Sequence, residues 1–260
     1  MLNSTSLPAE IRQLCRTGTL DTPTPGLALG YVQANLVILP LTLAFEFLLF
    51  CQRNPKSCPI LDVTEAGNPE PRIIAPGADV RTDLPRYQIF RQGRLAEETT
   101  DILSFWREDF VAFLVGCSFS FENALLNAGL PVRHIEEGKN VPMYKTNLNC
   151  LPTQKFSSPL VVSMRPMPMH QVVRAVEITS RYARAHGSPI HIGNPEAIGI
   201  IDLEKPDYGD AVSIRKNEVP VFWACGVTTQ TAILQLKPEL AITHAPGHMF
   251  ISDLKDESLL

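Results

Sequence analysis

The chain has 260 residues, 45% of them hydrophobic and 19% charged, and carries a net charge of -4 at pH 7. That composition supports a substantial core in one large or two small domains, and an acidic balance without a Lys/Arg run argues against a nucleic-acid partner. The most apolar stretch, 36–51, is short and interrupted by Pro40 and Glu46, so no membrane span is expected. The first ten residues lack the basic and apolar regions of a secretory signal. The six cysteines include no Cys-x-x-Cys pair, so reduced thiols in a cytoplasmic protein are expected.

In chain order, residues 8–16 predict a short amphipathic helix and 31–39 a strand. Pro40 opens a helix that runs to about Arg53, where Asn54-Pro55 stops it. Residues 59–64 predict a strand, and 84–98 a hairpin turning at Gln92-Gly93. Thr99 or Thr100 caps a predicted helix over 101–109. Residues 139–158, rich in Asn, Pro and Ser, predict an ordered loop. Strands are predicted at 160–164, 189–193, 211–215, 219–223 and 240–244, and a helix at 170–186 stopped by His186-Gly187. Strands alternating with helices predict an α/β fold, a layered mixed sheet with helices. Residues 1–61 and 151–260 form the expected main domain, and 62–150 a smaller inserted two-layer α+β lobe.

Two stretches repeat one pattern. Residues 113–126 and 222–234 each read as an apolar strand, a cysteine (Cys117, Cys225), small or hydroxyl residues, then a helix. About ten residues after each helix comes a histidine and then a glycine: His134 and Gly138, His244 and Gly247. A strand turning into a helix through small residues leaves N–H groups aimed at one spot, which suits a carboxylate. An internal duplication with two such spots suits a small substrate bearing two carboxylates.

Seven ordered blocks lie at 30–35, 79–87, 116–122, 140–144, 191–195, 222–227 and 243–248. Together they resemble the bacterial hydro-lyases grouped with D-glutamate cyclase, over roughly Gly26 to Asp253. The resemblance implies an α/β fold with a smaller two-layer lobe. It also implies conversion of an amino acid such as D-glutamate to 5-oxo-D-proline and water. It carries over no catalytic residue.

Ring closure needs a neutral amine held beside the side-chain carboxyl, an acid–base group and donors for the oxyanion. Glu122, early in the helix after Cys117, suits the acid–base role or simply favours the helix dipole. Ser118, Ser120 and Thr228 suit carboxylate binding or N-capping. Arg81, between Asp79 and Asp83, suits a substrate carboxylate or an internal salt bridge, and Arg165 is a second cationic candidate. Tyr144 and Asn147 suit ligand binding or loop anchoring. Cys117 and Cys225, at helix starts, suit lowered-pKa acid–base chemistry, as in paired-thiol racemases, or plain core filling. His244 suits proton relay.

His244 and His248 are four apart, but Pro246-Gly247 between them forbids a helix. No cofactor is therefore called, and a divalent metal held with Asp253 or His191 is the alternative. The leading expectation is a hydro-lyase acting on a small acidic substrate, with no nucleic-acid or membrane partner and with homo-oligomerisation open. A cofactor-independent racemase or epimerase and a non-catalytic binder of acidic metabolites are the other readings.

Overall fold

The computed structural model describes residues 6–260; the first five, where the main domain was set to begin and a signal was sought, lie outside the described residues. Helix α1 (Pro8–Arg16) starts at a proline, and the Leu7 N–H donates to the Glu10 carboxylate at 3.0 Å. Strand β1 (Tyr31–Pro40) is buried along both faces, and its last residue sits at the N-cap of α2 (Leu41–Arg53). Then come β2 (Ile60–Val63), β3 (Tyr87–Arg91) and β4 (Arg94–Thr99). The β3–β4 hairpin turns at Gln92 and Gly93, both left-handed at φ 50° and 72°, the geometry that matches strand twist.

Strand β5 (Phe110–Gly116) leads into α3 (Phe119–Asn127), the single turn α4 (Arg133–Glu136) and β6 (Met143–Asn149). The remainder is β7 (Pro159–Pro168), α5 (Val172–Ser180), β8 (His191–Ile192), β9 (Glu218–Ala224), α6 (Thr228–Leu236), β10 (Ala241–His244) and β11 (Phe250–Lys255). The large sheet runs β2-β5-β1-β10-β3-β4, with β11 also paired to β1; the small sheet runs β6-β7-β9-β8. All of these pairings are antiparallel. The segment 62–150 thus supplies strands to both sheets. No helix among the described residues is long and apolar enough to cross a membrane.

Several predicted elements differ. The helix expected over 101–109 is one 3₁₀ turn, Leu103–Phe105, because Ile102 N–H is tied to Arg81 O at 2.9 Å and Arg107 closes on Asp109. The strand expected at 211–215 is irregular. Side-chain carboxylates take its N–H groups: Glu137 takes Ser213 N and Glu218 takes Arg215 N. The loop expected over 139–158 contains β6, whose partner β7 follows it. The helix expected to reach 186 ends at Ser180, where Thr179 Oγ1 bonds back to Ala175 O, a contact that disturbs a helix end. His186 is left-handed at φ 76°. Strand β11 was not anticipated.

One core lies between Ala34, Leu36, Ile38, Ala112 and Leu114 of the large sheet and Met167, Val221 and Trp223 of the small one. It is filled by Phe121 and Leu125 of α3 and Val172 and Ala175 of α5. The opposite face of the large sheet packs Val37, Leu39, Val111 and Phe113 against Phe47 and Phe50 of α2 and Ala232 and Ile233 of α6.

Strand registers reveal the duplication. Ala34 faces Gly116 and Pro40 faces Phe110 in β1–β5; Val162 faces Ala224 and Pro168 faces Glu218 in β7–β9. Each pair therefore has the same offset, and Cys117 and Cys225 follow at the same point. Edge strands match too: Val63 faces Phe113 and Ile192 faces Val221. Apart from β3, β4 and α4 in the first and β10 in the second, each unit is strand, helix, edge strand, strand, cysteine turn, helix and a final strand. The final strands are exchanged. β6 of the first unit pairs with β7 of the second at Tyr144–Val162, and β11 of the second pairs with β1 of the first at Phe250–Ala34.

Candidate functional site

Both cysteine turns reach one small apolar cluster. Cys117 and Cys225 share it with Met143, the first residue of β6, and Met249, its register equivalent just before β11, and with Val161 and Val227. A helix N-terminus alone lowers a thiol pKa, but here burial dominates. It pushes the Cys117 thiol well up, and the Cys225 thiol up to about 11, against backbone hydrogen bonds that pull the other way. Neither is a thiolate near neutrality.

Above that cluster the units diverge. Arg165 is fully buried in β7, between the rings of Phe121 and Trp223 at 5.2 and 5.5 Å. Its Nε donates to Glu122 Oε1 at 3.0 Å, and its Nη2 donates to the same oxygen and to Ser118 Oγ. Its Nη1 donates to Ser163 Oγ at 3.0 Å. His134 Nε2 lies 3.1 Å from Glu122 Oε1 on the other side. Burial would raise the Glu122 pKa, but the charges and hydrogen bonds of His134 and Arg165 outweigh it and hold the carboxyl below its usual range. All of these contacts use Oε1, and Oε2 takes no hydrogen bond from a described residue. An ionised, fixed carboxylate with one free oxygen beside an imidazole is an arrangement that can exchange protons with a ligand.

The first-turn hydroxyls do matching work in the two units. Ser120 Oγ accepts from Gln33 N at 3.1 Å, and Thr228 Oγ1 accepts from Val161 N at 3.0 Å. Gln33 and Val161 occupy the same register position, so each hydroxyl satisfies the backbone of its own unit's first strand.

Of the residues singled out in the sequence, Glu122, Ser118 and Arg165 form one hydrogen-bonded group, beside Cys117 and Cys225. His244 instead fills a gap in the large sheet. Its Nδ1 lies 3.2 Å from Leu36 N and 3.3 Å from Leu36 O, and burial lowers its pKa to about 4. Arg81 closes on Asp79 at 2.7 Å and stacks over Trp106. Tyr144 donates its hydroxyl to Leu203 O at 2.7 Å. Asn147 is exposed and packs against Gly199.

His248 Nδ1 lies 3.1 Å from Pro246 O, His191 Nε2 2.7 Å from Asn194 O, and Asp253 pairs with Arg12. Among the described residues, no three His, Cys, Asp or Glu side chains gather as a metal site. His134 and Ser163 were not anticipated in the group. His134 was visible as the counterpart of His244, and Ser163 stands two residues before Arg165, on the same strand face.

Residues 111–253, which contain this whole group, match the family model described as D-glutamate cyclase. A protein of Bacillus licheniformis named "Putative hydro-lyase" is 62% identical over 250 residues, covering 96% of this chain and 95% of its own. Another of that name from Bacillus subtilis is 62% identical over 252 residues, covering 97% and 98%. One from Stutzerimonas stutzeri is 62% identical over 252 residues, covering 97% and 95%. Among solved structures, a nitrogen repressor-like protein from Methanococcus jannaschii aligns over 94% of this chain and 97% of its own, at 8% identity and a TM-score of 0.37. So low a likeness carries no argument.

Proposed function

Because the chain belongs to the D-glutamate cyclase family, we propose that it is a hydro-lyase that closes D-glutamate to 5-oxo-D-proline. In that reaction the amine nitrogen bonds to the side-chain carboxyl carbon and one C–O bond breaks. Two protons pass from nitrogen to the departing oxygen, which leaves as water. The observation that carries the reading is the buried Arg165–Glu122–His134 group inside the family-matched segment. Glu122 and His134 form the acid–base pair, with the free Oε2 taking a proton from the amine and the imidazole supporting its return to the leaving oxygen. Arg165 keeps Glu122 ionised and contributes positive charge near the tetrahedral oxyanion.

The test is chiral chromatography of purified protein incubated with D- and L-glutamate. The expected result is 5-oxo-D-proline matching the D-glutamate consumed. Glu122→Gln and His134→Gln should each slow turnover by about 100-fold or more. Folded protein that leaves D-glutamate unchanged overturns the reading.

A further inference from the structure

The duplication gives the charged group a neutral counterpart, built from the α6 turn of the second unit and β1 of the first. By register and helix position, Gln230 stands for Glu122, Gly226 for Ser118, Val37 for Arg165 and Asn35 for Ser163. His244 precedes the final strand of its unit, as His134 does. Two buried polar atoms here have no hydrogen-bond partner: Gln230 Oε1 and His244 Nε2, in residues 2% and 1% exposed. Unpaired polar atoms of this kind are costly, and in functional sites they mark places where a ligand completes the bonding.

The polarity of the Gln230 atom is fixed from outside. Glu98 accepts from Gln88 Nε2 at 2.6 Å, and a carboxylate only accepts. Gln88 Oε1 therefore faces Gln230 and receives its Nε2 at 2.5 Å. That leaves Gln230 Oε1 as an acceptor without a donor. On the other residue, Nδ1 lies 3.2 Å from Leu36 N and 3.3 Å from Leu36 O; in the tautomer that accepts from the Leu36 N–H, the proton sits on Nε2, which is then a donor without an acceptor.

We propose that this neutral group holds the α-amino-acid head of the substrate, with Gln230 Oε1 receiving an N–H of the amine and His244 Nε2 donating to the α-carboxylate. The charged group then works on the far carboxyl. The assignment rests on the cyclase reading and specifies which end of the molecule each group grips.

Its test is calorimetric titration of the full chain with D-glutamate and with glutarate, which keeps both carboxylates and lacks the amine. Wild-type protein should prefer D-glutamate by about tenfold or more, the worth of one hydrogen bond to a charged group. Gln230→Leu should bring that ratio close to one while keeping glutarate affinity. Glu98→Gln, outside the site, frees the Gln88 amide to flip and should lower the same ratio without loss of folding. Variants that keep the wild-type ratio overturn the subsite and leave the cyclase reading standing. Wild-type protein that binds neither ligand overturns both.

Discussion

Arg165 stands on β7 where Val37 stands on β1, and this exchange of an apolar residue for a guanidinium makes one of the two equivalent groups of the duplicated fold charged. The guanidinium is out of contact with water, so its pairing with Glu122 is a matter of stability as well as chemistry. Arg165→Met should cost about 3–5 kcal/mol, because it leaves a carboxylate buried beside His134 alone. Arg165→Met with Glu122→Gln should recover much of that loss. Urea unfolding of the two single variants and the double variant measures the coupling; additive losses would contradict a mutually dependent pair.

Acidification should destabilise the protein below about pH 6.5. Burial lowers the pKa of both His186 and His244 to about 4. Between that value and their unfolded pKa the unfolded chain binds the extra protons, so stability falls as pH drops. Asp256 runs the other way: burial raises its pKa to about 7, and its protonated form favours the fold over much of the same range. These two histidines against one aspartate leave a net loss of about 1.4 kcal/mol per pH unit between pH 6 and 4.5, and His248, whose pKa burial also lowers, adds to it. Urea midpoints across that range check the slope, and Asp256→Asn should steepen it.

Two glycines at the cysteine turns have no room for a methyl group, for different reasons. A Cβ on Gly116 would lie 1.9 Å from the carbonyl oxygen of Arg184; on Gly226 it would lie 2.1 Å from the side-chain nitrogen of Asn35. Asn35 can swing aside by giving up its bonds to Val115 O and Gly116 O. The Arg184 carbonyl moves only with its backbone. Gly226→Ala should therefore cost about 1–3 kcal/mol and Gly116→Ala more, with urea midpoints as the readout.

The thiols at these turns should be slow. With Cys117 and Cys225 both raised by burial, native protein at pH 8 should react with iodoacetamide about 100-fold more slowly at these positions than denatured protein. Peptide mapping resolves the two sites. Rapid native labelling of either would restore a thiolate role.

What could be read from the chain was what neighbouring residues decide. Pro40 at the start of α2, the Gln92-Gly93 turn and the two strand–cysteine–helix units are local features, and each was visible. The 3₁₀ turn at Leu103 and the irregular stretch at 211–215 depend on bonds to Arg81, Glu137 and Glu218, far along the chain or hidden by local pattern. The site was legible by residue type but not by grouping. Glu122 and Arg165 both stood out, yet nothing in their 43-residue separation indicates that they touch. Arg81 stood out equally, and its partner is the adjacent Asp79.

The exchange of final strands has a consequence for how the chain matures. One edge of β1 (Tyr31–Pro40) is completed at its start by β11 (Phe250–Lys255), which is made long after it. An unpaired strand edge is a template for association with other chains, and this one waits until β11 is made. Contacts so distant in sequence also make folding slow. The emerging polypeptide therefore has reason to engage a chaperone until β11 arrives.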